Sequence, residues 1–397
     1  MLHGFDIVVL LYNQTLTCTW VSFCYNKDMK TRTPRDKLHM SWRTLDGFNK
    51  AINGFISPRE PGKTDTTWFE KIFSNWIEDG RPWVYFVRQV VEINEAMIQD
   101  IENTINKWAI DPIELQYTKG AFKDGIVDVR VKDKLFFRII ALSIPLRRIK
   151  LAKVPNIGGI FMDEYIIDPR TGEKYIQNEY FKIKEAYTTY RREYQGKGML
   201  KLYFCGNPYS LFNPFFVGLG VDVSKLKKDE YKLVNGEYKL IHHIYVGDEF
   251  AIEWGVLHPK LKEWLLEKNP FYKFDEDYNQ YALEGMAVND KNIRLAKQPK
   301  NFYLSFVLKM AGKYIGIFQN NYLEDLEDMY FCKFLDEVST RRCIYCFEFE
   351  EMVDRSILMS IDERMKLQRF KNAMRKRLVS FEDINVYYYI EEAYKNL

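Results

Sequence analysis

Residues 57–64 read Ser57-Pro58-Arg59-Glu60-Pro61-Gly62-Lys63-Thr64, and further along the chain comes Gly159-Ile160-Phe161-Met162-Asp163-Glu164. The first run has the composition of a loop that wraps a nucleoside triphosphate. In such a loop Gly62 lets the main chain approach the phosphates at a helix N-terminus, Lys63 reaches the β- and γ-oxygens, and Thr64 offers a hydroxyl to Mg²⁺. Only Ser57 departs from the pattern, standing where Gly is usual, with a β-carbon that could crowd the loop. The second run is an apolar strand ending in two acids. A buried parallel strand delivers its last residues to the carboxyl edge of the sheet, which suits Asp163 to the metal's water shell and Glu164 to the attacking water. Either run alone is weak, since Gly-Lys-Thr recurs by chance and Asp-Glu can simply open a turn. Together they predict triphosphate hydrolysis.

The elements around these residues agree with that chemistry. Residues 51–56 suit a short strand before the loop, and Phe69, Ile72, Phe73 and Trp76 recur at helical spacing after it. Trp83 to Val87 reads as a buried strand with Arg88 at its end, followed by a helix with a core stripe at Met97, Ile101, Ile105 and Trp108. Gly120, Gly125 and the alternating Val127, Val129 and Val131 predict an exposed hairpin over Lys119 to Lys134 before a strand from Leu135 to Leu142. Beyond the acidic pair, Ile183, Tyr187, Tyr190 and Tyr194 mark a helix. Met199 to Phe204 form a strand ending in Cys205-Gly206-Asn207-Pro208. The alternation to residue 247 predicts an α/β sheet with helices on both faces. Residues 248–295 show no sheet alternation and read as a small linker subdomain. From 296 onward come strand-like runs at Phe302 to Met310, Lys313 to Gln319, Met329 to Phe334 and Cys343 to Phe349, then helices at 362–377 and 381–395.

The chain has 397 residues, 47% hydrophobic and 16% aromatic, enough for two cored domains rather than disorder. A net charge of +3 excludes a histone-like protein but not a local basic face. Six scattered cysteines suit a reducing cytosol better than a disulfide scaffold. The apolar opening from Ile7 to Tyr12 is too short to span a bilayer and has no basic flank or cleavage site, so no membrane is expected. Residues 1–39 look unlike the rest and read either as an N-terminal extension or as sequence upstream of an alternative start at Met40, which just precedes the ATPase pattern.

The phosphate loop, the strand with Arg88, the strand ending at Glu164, and the Cys205 to Pro208 turn followed by Asn213-Pro214-Phe215-Phe216 resemble the DNA packaging ATPases of small protein-primed podoviruses (Picovirinae type), relatives of terminase large subunits. The similarity runs in order from about Met40 to the C-terminus. It implies a P-loop NTPase domain of the ASCE type over 40–247, the linker at 248–295, and a ribonuclease H-like domain over 296–397. It further implies a ring, typically a pentamer, docked on a procapsid portal in the host cytoplasm and driving double-stranded DNA inward with ATP and Mg²⁺. A scaffold RNA can join ring and portal in such systems. On this resemblance Lys63 and Thr64 bind phosphates and Mg²⁺, Arg59 matches the arginine inside many terminase-type loops, and Asp163 and Glu164 serve metal and water. Asn207 is the sensor of γ-phosphate loss. Arg191 or Arg192, with Lys197 as a third candidate, is supplied in trans to the neighbouring subunit's site. An active nuclease of the ribonuclease H fold needs converging carboxylates, and Asn301 to Lys309 carries none. The domain is therefore expected to grip DNA or contact portal without cutting.

Weaker signals point elsewhere or nowhere. Cys343 and Cys346 have the spacing of half a zinc site without a second pair. His242-His243 has no acidic motif beside it in sequence and reads as a strand-edge feature. The basic helix with Arg364, Lys366, Arg369, Lys371, Arg375, Lys376 and Arg377, over an apolar stripe of Leu367, Phe370, Met374 and Leu378, and the Lys119 to Lys134 hairpin are the candidates for phosphate contacts indifferent to base sequence. The competing functions are a terminase or helicase-type ATPase that keeps nuclease activity, and a portal or tail protein that binds ATP without turnover. Glu164 argues against the last, because binding alone needs no water-activating acid.

Overall fold

The computed structural model describes residues 40–109, 112–168, 171–211, 213–274, 279–280, 282–285, 293–320, 329–338, 343–346, 352–353, 356–358 and 367–396. The expected extension over 1–39 lies outside them. The chain divides into two units, one holding residues up to Tyr209 together with Leu226–Met286, the other Ser210–Lys225 with Ala287–Leu397.

The first unit is built on an eight-stranded sheet. Its strands are β1 (Ile52–Ile56), β2 (Trp83–Val87), β3 (Ile126–Val131), β4 (Lys134–Ala141), β5 (Gly159–Met162), β6 (Leu202–Gly206), β9 (Ile244–Val246) and β10 (Phe250–Trp254), in the order β3-β4-β2-β5-β6-β1-β10-β9. The six inner strands are parallel, and each edge strand is antiparallel to its neighbour. Inner runs such as Gly159–Met162 and Leu202–Gly206 are buried along their whole length, which is why they are continuously apolar instead of alternating. Cross-strand packing needs a glycine inside β1: a Cβ on Gly54 would stand 2.4 Å from the ring of its register partner Phe204 on β6. A separate hairpin, β7 (Glu230–Val234) and β8 (Glu237–Ile241), precedes β9.

Four expectations change here. The segment 248–295 is no separate subdomain at its start, because Phe250–Trp254 pairs in parallel with β1 as a buried inner strand. Its run Phe-Ala-Ile-Glu-Trp breaks the apolar pattern with one acid, which hid the strand. The Lys119 to Lys134 hairpin is not a projecting arm. Its Val127, Val129 and Val131 are in the core, its turn at Lys132 and Asp133 has both φ positive (48° and 65°), and Asp128 and Arg138 pair across β3 and β4 through two hydrogen bonds of 2.6 and 3.0 Å. The helix Glu95–Asn106 buries Ile101 and Ile105 as expected, but Ile98 and Thr104 complete its core face in place of Met97, and Trp108 lies beyond its end. The helix Glu179–Tyr190 likewise buries Ile183, Ala186 and Tyr190, with Tyr194 outside it.

The second unit carries a six-stranded sheet of β11 (Phe302–Met310), β12 (Lys313–Asn320), β13 (Tyr330–Leu335), β14 (Ile344–Cys346), β15 (Ser356–Leu358) and β16 (Val379–Phe381), in the order β15-β14-β11-β12-β13-β16. β11, β12 and β13 form an antiparallel meander, while β14 runs parallel to β11, β15 to β14 and β16 to β13. The Asn-Pro-Phe-Phe segment belongs to this unit. Asn213 caps the helix Pro214–Leu219 by accepting from Phe216 N at 2.9 Å, and Asn385 ties the following turn by bonds to Val223 N and Asp222, each 2.9 Å. The basic helix spans Gln368–Arg375 and buries Leu367, Phe370 and Ala373, so Ala373 takes the place expected of Met374; Arg364 and Lys366 lie outside the described residues. No described helix is long and apolar enough to cross a membrane.

Candidate active site

The strand order decides which residues meet. β6 lies between β1 and β5, so the turn after β6 is held between the loop after β1 and the acids after β5. Parallel strands end at one edge, and there the expected residues converge. Lys63 Nζ, on a side chain only 8% exposed, donates to Asn207 Oδ1 (2.8 Å), Pro58 O (2.8 Å), Ser57 Oγ (3.1 Å) and Ser57 O (3.3 Å). Thr64 Oγ1 donates to Asp163 Oδ2 at 2.8 Å.

Gly62 sits at φ 75° and caps the helix beginning at Lys63 without any side-chain hydrogen bond, so the helix's first amides and its positive end face the loop. From Lys63 the helix runs as α, then as π over Thr67–Phe73, then as α to Asp79. Ser57 resolves its own departure from the pattern. It has no positive φ, is fully buried, and its hydroxyl accepts from Lys63 while donating to Pro58 O at 3.0 Å. The strained non-glycine position of the loop is Glu60, at φ 74°. Burial pulls the Lys63 ammonium down to about 8, opposed by nearby charges that include Asp163 and Glu164.

Asp163 is fixed by three donors: Thr64, the Cys205 thiol at 2.9 Å and the amide of Glu164 at 2.9 Å, the last two on Oδ1. Burial pushes the Cys205 thiol up, so it stays a donor. Glu164 has a left-handed backbone, φ 49°, and an open face to solvent. Burial of the carboxyl against the sheet edge still raises it above the usual range, with Asp163 and Glu173 adding to the rise and Arg59 and Lys63 opposing it.

Sequence reasoning gave Arg88 no role. It is 7% exposed, pairs with the buried Glu179 through bonds of 2.9 and 3.0 Å, and donates to the carbonyls of Tyr165 (3.1 Å) and Glu164 (3.3 Å). The guanidinium therefore anchors the left-handed turn that carries the water-activating candidate. An Arg at a strand end with a Glu opening a later helix was the available signal, but partners 91 residues apart cannot be matched from sequence. Arg59 lies at the site's rim, bonded to Tyr209 OH at 3.0 Å, with its amide on Ala282 O.

Arg191 and Arg192 are not brought to the site. They are exposed at the far end of the helix Glu179–Tyr190, whose twelve residues span about 18 Å from the Arg88 contact. Lys197 lines a cavity of about 370 Å³ at the amino edge of the sheet, with Arg81, Tyr194 and Lys201.

The donor set fits the groups expected there. A hydroxyl beside a carboxylate is the hard-oxygen environment Mg²⁺ takes, and an uncapped helix start behind a left-handed glycine is a cradle for phosphate.

No protein-family model and no curated protein matches the chain. Among solved structures, a chain of the Phi-28 gp11 DNA packaging motor superposes with a TM-score of 0.61 at 17% identity, over 87% of this chain and 94% of that one. A chain of the bacteriophage Phi-29 viral genome packaging motor assembly gives 0.60, again at 17% identity, over 90% and 99%. The chain shares the fold of these packaging-motor proteins. The shared fold reaches into both units, since neither unit alone could supply that coverage.

Two weaker signals also resolve. Cys343 is exposed and Cys346 is buried, with Cys346 Sγ directed to Ile357 O at 3.6 Å; three residues apart along an extended run they face opposite ways and do not form half a zinc site. His242 has acidic neighbours after all. Its Nδ1 lies 2.7 Å from Glu253 Oε1 and 3.7 Å from Asp229 Oδ2, acids that the fold brings from β10 and from the residue before β7.

Proposed function

We propose that this chain is an ATP-hydrolysing motor that moves double-stranded DNA into a phage procapsid. The observation that carries the reading is the joining of Lys63 to Asn207 and of Thr64 to Asp163 at one sheet edge, on a fold shared with packaging-motor proteins. Gly62, Lys63 and the helix amides hold the triphosphate, with Ser57 setting the lysine's height and Arg59 at the rim. Thr64 and Asp163 hold Mg²⁺, which neutralises phosphate charge when bound. Glu164 orients and takes a proton from water, a task helped by a carboxyl whose affinity for protons is raised. Asn207, bonded to the lysine that meets the γ-phosphate, senses its loss.

Arg191 or Arg192, too far to serve its own site, stabilises charge at the neighbour's site in a ring, which we take to be a pentamer docked on the portal, with or without a scaffold RNA. The second unit's meander β11-β12-β13, extended by parallel β14 and β15, supports a ribonuclease H-like reading, and β11 bears no carboxylate. It serves DNA or portal contact without cleavage. DNA is held through phosphates, independent of base sequence, and the motor works in the host cytoplasm.

The test is ATP turnover with and without double-stranded DNA, at a concentration permitting rings, beside Lys63→Ala and Glu164→Gln. DNA-stimulated turnover lost in both variants is expected. ATP binding without turnover, unaltered by Glu164→Gln, would replace the motor with a nucleotide-gated structural protein.

A further inference from the structure

We propose that Asp229, His242 and Glu253 form a binding site for one divalent transition-metal ion of the Zn²⁺ class, distinct from the nucleotide site. One imidazole nitrogen and one oxygen from each carboxylate all lie within 4.8 Å of one another. Ligand atoms around a tetrahedral zinc stand roughly 3.3 Å apart, and the His242 separations of 2.7 Å to Glu253 and 3.7 Å to Asp229 bracket that value.

The second observation is the state of the acids. Asp229 is 3% and Glu253 2% exposed, yet Asp229 Oδ2 and Glu253 Oε2 have no hydrogen-bond partner among the described residues. Two buried carboxylate oxygens left bare are costly unless a cation or a retained proton lies between them.

The frame is rigid. Glu253 is on β10, between β1 and β9, and the Asp229 amide bonds Trp254 O at 2.8 Å. The His243 amide donates to Asp229 Oδ1 at 2.6 Å and orients that ligand, as outer-shell donors do in metal sites. The His242 side chain is 37% exposed, which leaves an entry path and room for a water ligand. A nitrogen with two carboxylates selects a first-row transition ion over Mg²⁺ or Ca²⁺. The chemistry is structural: the ion would pin the β7–β8 hairpin base to β10.

The experiment uses the full chain, stripped with chelator and titrated with Co²⁺ and, calorimetrically, with Zn²⁺. One equivalent of Co²⁺ is expected, with visible d–d bands, no thiolate charge-transfer band and one hyperfine-shifted imidazole signal. His242→Ala and Glu253→Gln should each weaken binding at least roughly tenfold, and Asp163→Asn should leave it unchanged. No bound metal in the wild type means that a shared proton fills the site, and overturns the proposal. So does binding unchanged in His242→Ala, or lost in Asp163→Asn. The imidazole signal is read on the wild type, so its absence overturns the proposal even if both variants misfold. None of these outcomes depends on whether the chain hydrolyses ATP.

Discussion

Replacing Arg88 by Ala separates structural from functional roles at the site. The change leaves the Glu179 carboxylate, with its side chain fully buried, without its partner and strips donors from the carbonyls of Glu164 and Tyr165. Breaking a buried ion pair on one side costs about 3–5 kcal/mol. At about 2–4 °C per kcal/mol for a unit of this size, the melting temperature falls by roughly 6–20 °C. Removing both charges with Arg88→Met and Glu179→Leu restores hydrophobic contact without an orphan charge, so most of that loss should return. ATP turnover should not return, because the left-handed turn at Glu164 still lacks its anchor. Thermal unfolding by circular dichroism and DNA-stimulated phosphate release on the wild type and both variants would measure this. A cost of the single change below about 1 kcal/mol refutes the buried-pair reasoning. Full turnover in the double variant refutes the anchoring role.

Lys63 makes stability depend on pH. Its folded value of about 8 lies below the ordinary 10.5, so between those limits the unfolded chain binds more protons and stability rises with pH. The nucleotide-free protein should gain about 3 kcal/mol relative to Lys63→Met across that window, and parallel urea-denaturation profiles would sink the idea. Glu60→Gly should relieve the left-handed strain at φ 74° and stabilise by about 0.5–1 kcal/mol after the entropy cost of glycine; a loss of stability would show that the Glu60 side chain matters more than its backbone. Gly54→Ala should destabilise by about 1–3 kcal/mol, since its Cβ would meet the Phe204 ring at 2.4 Å and Ile252 at 3.2 Å, and an unchanged melting temperature would mean that β6 yields easily.

The phosphate loop, the two acids and the Asn207 turn were legible because each is a short run whose residue types are set by local chemistry and whose flanking strands are continuously apolar. Most strands of both sheets followed from the same period and apolar runs, although the three-residue strands β15 and β16 were too short to signal themselves. The core face of the helix Glu95–Asn106 was legible at Ile101 and Ile105, while its first turn turned on the choice between the adjacent apolar Met97 and Ile98, of which Ile98 is buried.

The remainder belongs to tertiary structure alone. Only the strand order inserts β6 between β1 and β5 and so brings Asn207 onto Lys63 and Cys205 onto Asp163. Only packing matches Arg88 with Glu179, draws Phe250–Trp254 into the sheet, and gathers Asp229, His242 and Glu253 within bonding reach. Sequence periodicity reports which face of an element is buried, but not which distant element covers it. Ion pairs and ligand sets are made between distant elements.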